Sequence, residues 1–232
     1  MPGTALIAGH GPGFCEEFAY RLAEAGYGVG LFARSEDYLA EFETELRDAG
    51  HDALAVPTDI TDPEQMATGV DRIREELGPI EVVAHTASFH DDDPEGLDLD
   101  RFEKSWRVYT YAGLLCFRET LSDLRETDGT MLFFGAASDI GTFDYRSAKA
   151  ATRGLARSLA EEYGPEGIQV THVVVGGSIL NPDKYERVGE VVEEEHIDPA
   201  ELADTCLNLV EQDARSRTFE LDVHAAARTF AR

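Results

Sequence analysis

Lysine is almost missing from this chain. Only Lys104, Lys149 and Lys184 occur, and arginine supplies the rest of the 20 basic residues. Against them stand 46 acidic residues, for a net charge of -26. No basic patch exists to neutralise phosphates, so DNA and RNA are excluded as partners. Cysteine is scarce too. Cys15, Cys116 and Cys206 show neither metal-ligand spacing nor a pairing pattern, which reads as reduced thiols of a cytoplasmic protein. No stretch approaches the roughly 20 apolar residues of a membrane span. The opening MPGTALIAGHG lacks the charged and apolar regions of a signal peptide. With no linker and no low-complexity segment, residues 1–232 read as a single domain with a full core.

The acids form no tail either. They are spread through amphipathic segments such as EFETELRD, DRIREELG and EEEHIDPAELAD. Self-repulsion at this charge destabilises the compact state in dilute buffer, and salt screens it. Low lysine with high Asp and Glu points to a halophilic protein from a strongly saline cytoplasm. His90 beside Asp91, Asp92 and Asp93 reads as solvated loop surface, and no metal is expected.

What is present is a repeat of short apolar runs and amphipathic helices. Strands are expected at Thr4–Ala8, Gly28–Ala33, Ala53–Val56, Glu81–Ala84, Thr130–Phe134 and Gln169–Val175. Helices alternate with them, including one long helix from about Leu99 to Leu124 and another continuing to about Tyr163. Thr61 or Asp62 can cap the third helix, with Pro63 early in it. This alternation implies an α/β fold: a doubly wound, Rossmann-like parallel sheet covered on both faces, in three layers.

Two stretches carry chemistry. The first is GTMLFFGAASDIGTFDYRSAK, Gly129 to Lys149, an apolar strand that breaks into small residues and then opens a helix. Tyr145 and Lys149 are four apart and share one helix face. A lysine ammonium nearby lowers a phenol's ordinary pKa of about 10, and such a tyrosine exchanges protons with a substrate oxygen near neutral pH. A chance spacing is common, but a lysine in a chain with three is less easily filler. The second stretch is the turn Gly9-His10-Gly11-Pro12-Gly13-Phe14-Cys15 after the first strand. A glycine-rich turn there lets backbone approach a pyrophosphate at a helix N-terminus. His10 can donate to a phosphate or simply face solvent. His85, ending strand four, is either a site residue or a structural one. At the end of strand two, where an acid would bind the ribose of NAD, stand Arg34 and Ser35; an arginine suits the 2′-phosphate of NADP. NADP (as NADPH) is therefore the expected cofactor and NAD the less favoured one, although Glu36 and Asp37 follow closely.

With these motifs the chain resembles the short-chain dehydrogenase/reductase family over nearly its whole length. Its GHGPGFC is similar to a subgroup with a GxGPGxG turn, and QDARSRTFELDV near the C-terminus resembles that subgroup's tail. The resemblance implies that Tyr145 is the acid/base. Lys149 would lower its pKa and hold the nicotinamide ribose. It further implies cofactor contacts from Gly9, Gly11, Pro12, Gly13, Phe14, Arg34 and Ser35, from Asp59 and Ile60 at the adenine, and from Thr86, Ala87, Ser88, Gly177 and Ile179. The chain departs from the family pattern at several places. Cys15 stands where a third glycine is usual, the asparagine–alanine–glycine segment reads His85-Thr86-Ala87-Ser88, Tyr109 replaces the active-site asparagine after Trp106-Arg107-Val108, Gly176-Gly177 replace the proline–glycine after strand six, and Ala136 replaces the serine that orients the substrate oxygen. Ser138, two residues on, is the substitute candidate. A homodimer or homotetramer is also implied, with helices around Trp106 and Ala150 meeting through Ala148, Ala150, Ala151, Gly154 and Leu155.

Three functions follow. One is an NADP-dependent carbonyl reductase or alcohol dehydrogenase acting on a small-molecule carbonyl or alcohol. Another is a catalytically weak cofactor-binding regulator or redox sensor. The third is a purely structural oligomer partner, which leaves the turn and the Tyr145/Lys149 pair unexplained.

Overall fold

The computed structural model describes residues 3–88, 97–137, 141–181 and 195–227. The chain runs β1 (Thr4–Ala8), α1 (Phe14–Glu24), β2 (Gly28–Ala33), α2 (Glu36–Asp48), β3 (Ala53–Pro57), α3 (Pro63–Leu77) and β4 (Ile80–His85). It continues with α4 (Leu99–Trp106), α5 (Ala112–Thr127), β5 (Thr130–Ala136), α6 (Phe143–Tyr163), β6 (Gln169–Val175), α7 (Pro199–Val210) and β7 (Glu220–Val223). The seven strands form one sheet in the order β3-β2-β1-β4-β5-β6-β7, and every pairing is parallel. Strand order reverses between β1 and β4, which opens a crevice at the carboxyl ends of those strands.

The strands read as unbroken apolar runs because helices cover both faces. Phe18, Leu22, Leu39 and Leu202 fill the layer under α1, α2 and α7. Met66, Ile73, Phe117 and Leu159 fill the layer under α3, α5 and α6. Strand alternation divides β6 between them, Val173 facing the first layer and Val170 the second. Of the two cap candidates for α3, Asp62 does the work, accepting from the N–H groups of Glu64 and Gln65, with Pro63 at the first helical position.

The long helix expected from Leu99 to Leu124 is not one α-helix. Arg107–Tyr111 forms a π-helical turn between α4 and α5. A π turn widens the backbone ring and shifts the side-chain phase. Here it carries Tyr109, which is only 2 % exposed. The turn is tied to α6: the Thr152 hydroxyl donates to the Tyr109 carbonyl at 2.9 Å, and the Thr110 hydroxyl to the Ala148 carbonyl at 3.0 Å.

The start of α6 is anchored separately. Asp144 is buried and pairs with Arg101 of α4 at 3.2 Å, while the Ser105 hydroxyl donates to its other oxygen at 2.7 Å. Burial pushes the Asp144 carboxyl up; Ser105, Thr142 and the Arg101 charge outweigh that and hold it below its ordinary range. This buried cluster fixes the helix turn that bears Tyr145. On the outer side, Ala150 and Gly154 are exposed, with Trp106, Tyr111 and Leu114 partly exposed nearby. Ala148 departs from the sequence expectation. It is fully buried, because it faces the π turn.

Candidate active site

A cleft of about 980 Å³ lies over the strand-order reversal. Gly9, Gly11 and Pro12 line it from the first turn, Arg34 and Ser35 from the end of β2, Asp59 and Ile60 from the end of β3, and Ala87 and Ser88 from the end of β4. The expected cofactor residues of those four strand ends are thus brought together. Gly9 has φ of 102°, and a Cβ there would run into the Ala87 backbone, so the turn closes against the β4 exit only with glycine. Thr86 ties the same two segments, its hydroxyl donating to the Gly9 carbonyl at 3.1 Å, and does not line the cleft. Phe14 is buried against Phe18 and Phe134 rather than turned into the cleft. Its place at the start of α1 directs it into the core.

Gly13 also differs from the expectation. Glu16, three residues on, accepts the Gly13 N–H at 2.8 Å, so that donor is capped by a carboxylate. The same carboxylate accepts the Tyr38 hydroxyl at 2.7 Å, and that hydroxyl sits 3.4 Å from His10 Nε2. His10 stacks on Phe42, with ring centroids 4.6 Å apart. It is not the solvent-facing turn residue that the sequence allowed. Burial lowers its pKa to about 4, so it is neutral at pH 7. The spacing Gly13-x-x-Glu16 was the available signal for this cap.

Gly177 and Ile179 lie beyond β6. Ile179 bridges to Ile197, and neither residue lines the cleft. Leu180 and Asn181 instead run over Gly13, within 4 Å of where its Cβ would be. Ser138 lies outside the described residues. From α4 and the π turn, Asp100, Glu103, Lys104, Arg107 and Val108 complete the cleft wall, a contribution that the strand-end pattern did not reveal.

Beside this wall stand the paired residues of α6. Tyr109, adjacent to Val108, meets Tyr145 edge-on with centroids 5.2 Å apart. Lys149 Nζ lies 4.3 Å from the Tyr109 ring centroid and 5.6 Å from that of Tyr145, and donates to the Phe134 carbonyl at 2.8 Å. Burial of the ammonium lowers the Lys149 pKa to about 7. The Tyr145 phenol is shifted the other way, up, by burial and then by Tyr109. This corrects the expectation of a shift down through Lys149: loss of hydration, and then Tyr109, oppose the phenolate. His85 is a core residue facing the π turn, 3 % exposed; burial first, then the Lys149 charge, lowers its pKa to about 3. Among the described residues no group of three or more His, Cys, Asp and Glu is placed to hold a metal, and no helix is long and apolar enough to cross a membrane.

The glycine cradle, the basic Arg34 at the β2 end and the apolar Ile60 wall fit a dinucleotide in this cleft. Comparison with known proteins agrees with that fit. The family model described as short chain dehydrogenase matches residues 3–180. The cis-4-hydroxycyclohexanecarboxylate dehydrogenase of Sinomonas cyclohexanicum is 31% identical over 184 residues, covering 75% of this chain and 72% of that one. The 2,5-dichloro-2,5-cyclohexadiene-1,4-diol dehydrogenase LinX of Sphingobium indicum is 25% identical over 225 residues, 91% of this chain and 90% of that one. Among solved structures, the alcohol dehydrogenase of the archaeon Thermococcus sibiricus complexed with 5-hydroxy-NADP superposes over 100% of both chains with a TM-score of 0.86 at 20% identity. A Pseudomonas aeruginosa short chain oxidoreductase described as containing an atypical catalytic center gives the same TM-score over 99% of this chain and 98% of that one, also at 20% identity. By its sequence match and its fold, the chain belongs to the short chain dehydrogenase family of NAD(P)-binding oxidoreductases.

Proposed function

We propose that this enzyme is an NADP-dependent oxidoreductase of the carbonyl reductase or alcohol dehydrogenase type, with Tyr145 as the acid/base. The observation that carries the reading is the approach of the Lys149 ammonium to the Tyr145 ring on α6, both of them against Tyr109, which follows Val108 of the cleft wall. A nicotinamide, when bound, would supply or accept the hydride. Tyr145 holds its proton at neutral pH, since its pKa is raised. It donates that proton to the substrate oxygen in reduction. The phenolate left behind is favoured by the Lys149 charge. Lys149 also serves the nicotinamide ribose, and Ser138 is the candidate for a second hydrogen bond to the substrate oxygen.

Arg34 and Ser35 support NADP over NAD, because both are exposed at the cleft wall where a 2′-phosphate would be met. A charge-assisted hydrogen bond of this kind is worth roughly 1.5–3 kcal/mol, about one to two powers of ten in affinity. Arg34→Asp is expected to narrow or reverse the preference. A small carbonyl or alcohol is the substrate class, and the chain works as a homodimer or homotetramer through the outer faces of α4, α5 and α6. The acidic surface fits a halophilic member, and the GHGPGFC turn fits the GxGPGxG subgroup.

A second reading, a cofactor-binding regulator with little turnover, is favoured by one feature: the Tyr109 ring lies against Tyr145 where a smaller polar residue is usual. A turnover screen with NADPH and a carbonyl panel in high salt separates the two, together with Tyr145→Phe. The enzyme reading expects turnover that falls by roughly 10²–10⁴ in that variant, with NADPH binding kept. NADPH binding without turnover on any carbonyl would favour the regulator.

A further inference from the structure

A second cavity, of about 660 Å³, opens between α6 and the β6–β7 edge of the sheet. Tyr145 and Lys149 both line it, together with Ala136 and Ala137 at the exit of β5. Neither Tyr145 nor Lys149 lines the cofactor cleft among the described residues. A substrate oxygen that meets Tyr145 therefore approaches from this cavity. The groups around it decide which substrates are held.

Its charges are unevenly committed. Arg146 and Arg153 of α6 line the cavity, and so do Glu220 and Asp222 of β7. Glu220 is already engaged. Arg153 holds it through two nitrogens, and His172 Nδ1 lies 3.1 Å from the same carboxylate. Arg146 is different. It is exposed, and its side chain makes no ion pair or hydrogen bond among the described residues. Elsewhere the chain pairs its arginines with acids, as in Arg21–Asp204, Arg47–Glu43 and Arg74–Asp123. With 46 acids to 20 bases, carboxylates are not in short supply. On another part of the surface an unpaired arginine would read as solvated charge. This one directly follows Tyr145, and it lines the same cavity. Arg146, Lys149 and Arg153 are three and four residues apart, so they share one face of α6.

We propose that the substrate of this site is a short oxo or hydroxy acid, and that Arg146 holds its carboxylate while its carbonyl or hydroxyl oxygen meets Tyr145. The proposal rests on the reading of Tyr145 as acid/base and names the substrate class for that site. A planar guanidinium matches a carboxylate with two parallel N–H···O bonds. The net charge of -26 repels anions at long range, so an anionic substrate is held only where a local cation outweighs that field. Arg146 is that cation, and Lys149 adds to it from the next turn of the same face. Glu220 does not compete for Arg146, because Arg153 engages it. Asp222 opposes from β7. Consecutive helix residues are about 1.5 Å apart along the axis, so the carboxylate and the reacting oxygen are read close together, which suits a short carbon chain. The alkyl side chains of Ala136, Ala137 and Val174 give that chain an apolar wall. Arg146 takes no part in the transfer of hydride or proton; it selects and orients.

The test compares acid with ester. Pyruvate, acetoacetate and levulinate, each beside its methyl ester, are offered with NADPH or NADH at the lowest potassium chloride concentration that keeps the protein folded. The acids are expected to be preferred in kcat/KM by about ten- to a hundredfold, the worth of one charge-assisted hydrogen bond. Arg146→Gln is expected to erase most of that preference, chiefly through KM, and Arg146→Glu to reverse it. Arg72→Gln removes the same charge from an exposed position on α3 and is expected to keep the ratio. Binding is read apart from turnover, by calorimetry on the cofactor-loaded Tyr145→Phe protein. There the acids are expected to bind more tightly than the esters, and more weakly as salt rises. Esters used as readily as acids would overturn the proposal. So would an Arg146→Gln effect equal on acid and ester, or a ratio that moves as far in Arg72→Gln. If no carbonyl turns over, binding decides. Acids that bind, and stop binding in Arg146→Gln, uphold the carboxylate site and count against Tyr145 as acid/base. Acids that do not bind overturn the site.

Discussion

The Tyr109 ring stands edge-on to the Tyr145 ring, at 86° between planes and 5.2 Å between centroids, and the same Tyr109 ring offers its face to Lys149. One aromatic residue thus touches both members of the α6 pair. A ring edge is electropositive and a ring face electronegative, so Tyr109 complements the Lys149 cation. Its bulk and its own hydroxyl contribute to the raised pKa of Tyr145.

Replacing Tyr109 therefore separates these effects. Tyr109→Phe keeps the face over Lys149 and is expected to leave cofactor binding and most turnover intact. Tyr109→Asn removes both ring contacts and opens the site to water, which lowers the Tyr145 pKa and shifts the alkaline limb of the reductive activity profile downward. Tyr109 is 2 % exposed, so Tyr109→Asn also loses the packing of a buried ring, and stability should fall by roughly 3–5 kcal/mol in denaturant unfolding. A pH–rate profile identical to that of the unmodified enzyme would remove Tyr109 from the account of Tyr145.

The Arg101–Asp144 pair gives a sharper stability prediction. Both side chains are 3 % exposed, and Asp144 immediately precedes Tyr145. Breaking such a pair by removing one partner costs about 3–5 kcal/mol, because the other charge stays buried. Arg101→Met should cost that much in denaturant unfolding and should also lower turnover, since the first turn of α6 loses its anchor. Replacing both partners, Arg101→Met with Asp144→Leu, should recover much of the stability. A single variant within experimental error of the unmodified protein would show that α6 is held by Thr110 and Thr152 alone.

Much of this was legible in the residues. Apolar runs bounded by glycine locate β1 to β6 within one or two residues of their observed ends, and the strand–helix alternation dictates a parallel sheet. The turn at Gly9 is legible because a chain closing against the β4 exit has no room for a Cβ. The π turn is not legible, since its residues Arg107–Tyr111 carry no breaker and their apolar spacing resembles an ordinary helix. The direction of the Tyr145 shift is not legible for a different reason. Spacing of four reports that Tyr145 and Lys149 share a face, but the phenol's pKa is set by desolvation, which depends on Tyr109 arriving from another helix. The His172–Glu220 contact joins residues 48 apart in sequence and has no local signature at all.

Acid should unfold the protein from the histidine range downward. Folded-state pKa values lie below the ordinary ones for His10 (about 4), His85 (about 3), Glu220 (about 2, chiefly through Arg153) and, in direction, His172 and Asp144. Each of these groups binds its proton more readily in the unfolded chain. Their stabilising contribution is full above the unfolded pKa and is lost as pH falls through the folded one. The histidine part is lost as pH drops from about 6.5 and the carboxylate part below about 4.5, the loss continuing to the folded values near 2. Lys149, lowered to about 7, adds a rise in stability between there and about 10.4. A melting curve series at fixed high salt should therefore climb from pH 3 through neutrality; a maximum near the sequence pI of about 4.4 would contradict it.

Salt should act in the opposite way from its effect on an ordinary surface ion pair. Arg21–Asp204, Arg125–Glu166 and Arg215–Asp213 are exposed pairs, and screening weakens each by some part of the 0.2–1 kcal/mol such pairs are worth. The net charge of -26 works against them. Repulsion among unpaired carboxylates is long-ranged at low ionic strength and vanishes as the Debye length shrinks to about 3 Å at 1 M. With 46 acids facing 20 bases, relief of repulsion outweighs the loss of pairs. Melting temperature should climb steadily along a potassium chloride series into the molar range. Replacing a few exposed acids on α2, such as Glu41 and Glu45, by glutamine should flatten the low-salt end of that series. A flat or falling series for the unmodified protein would show that the acids are already balanced locally, and that the surface is acidic without being adapted to salt.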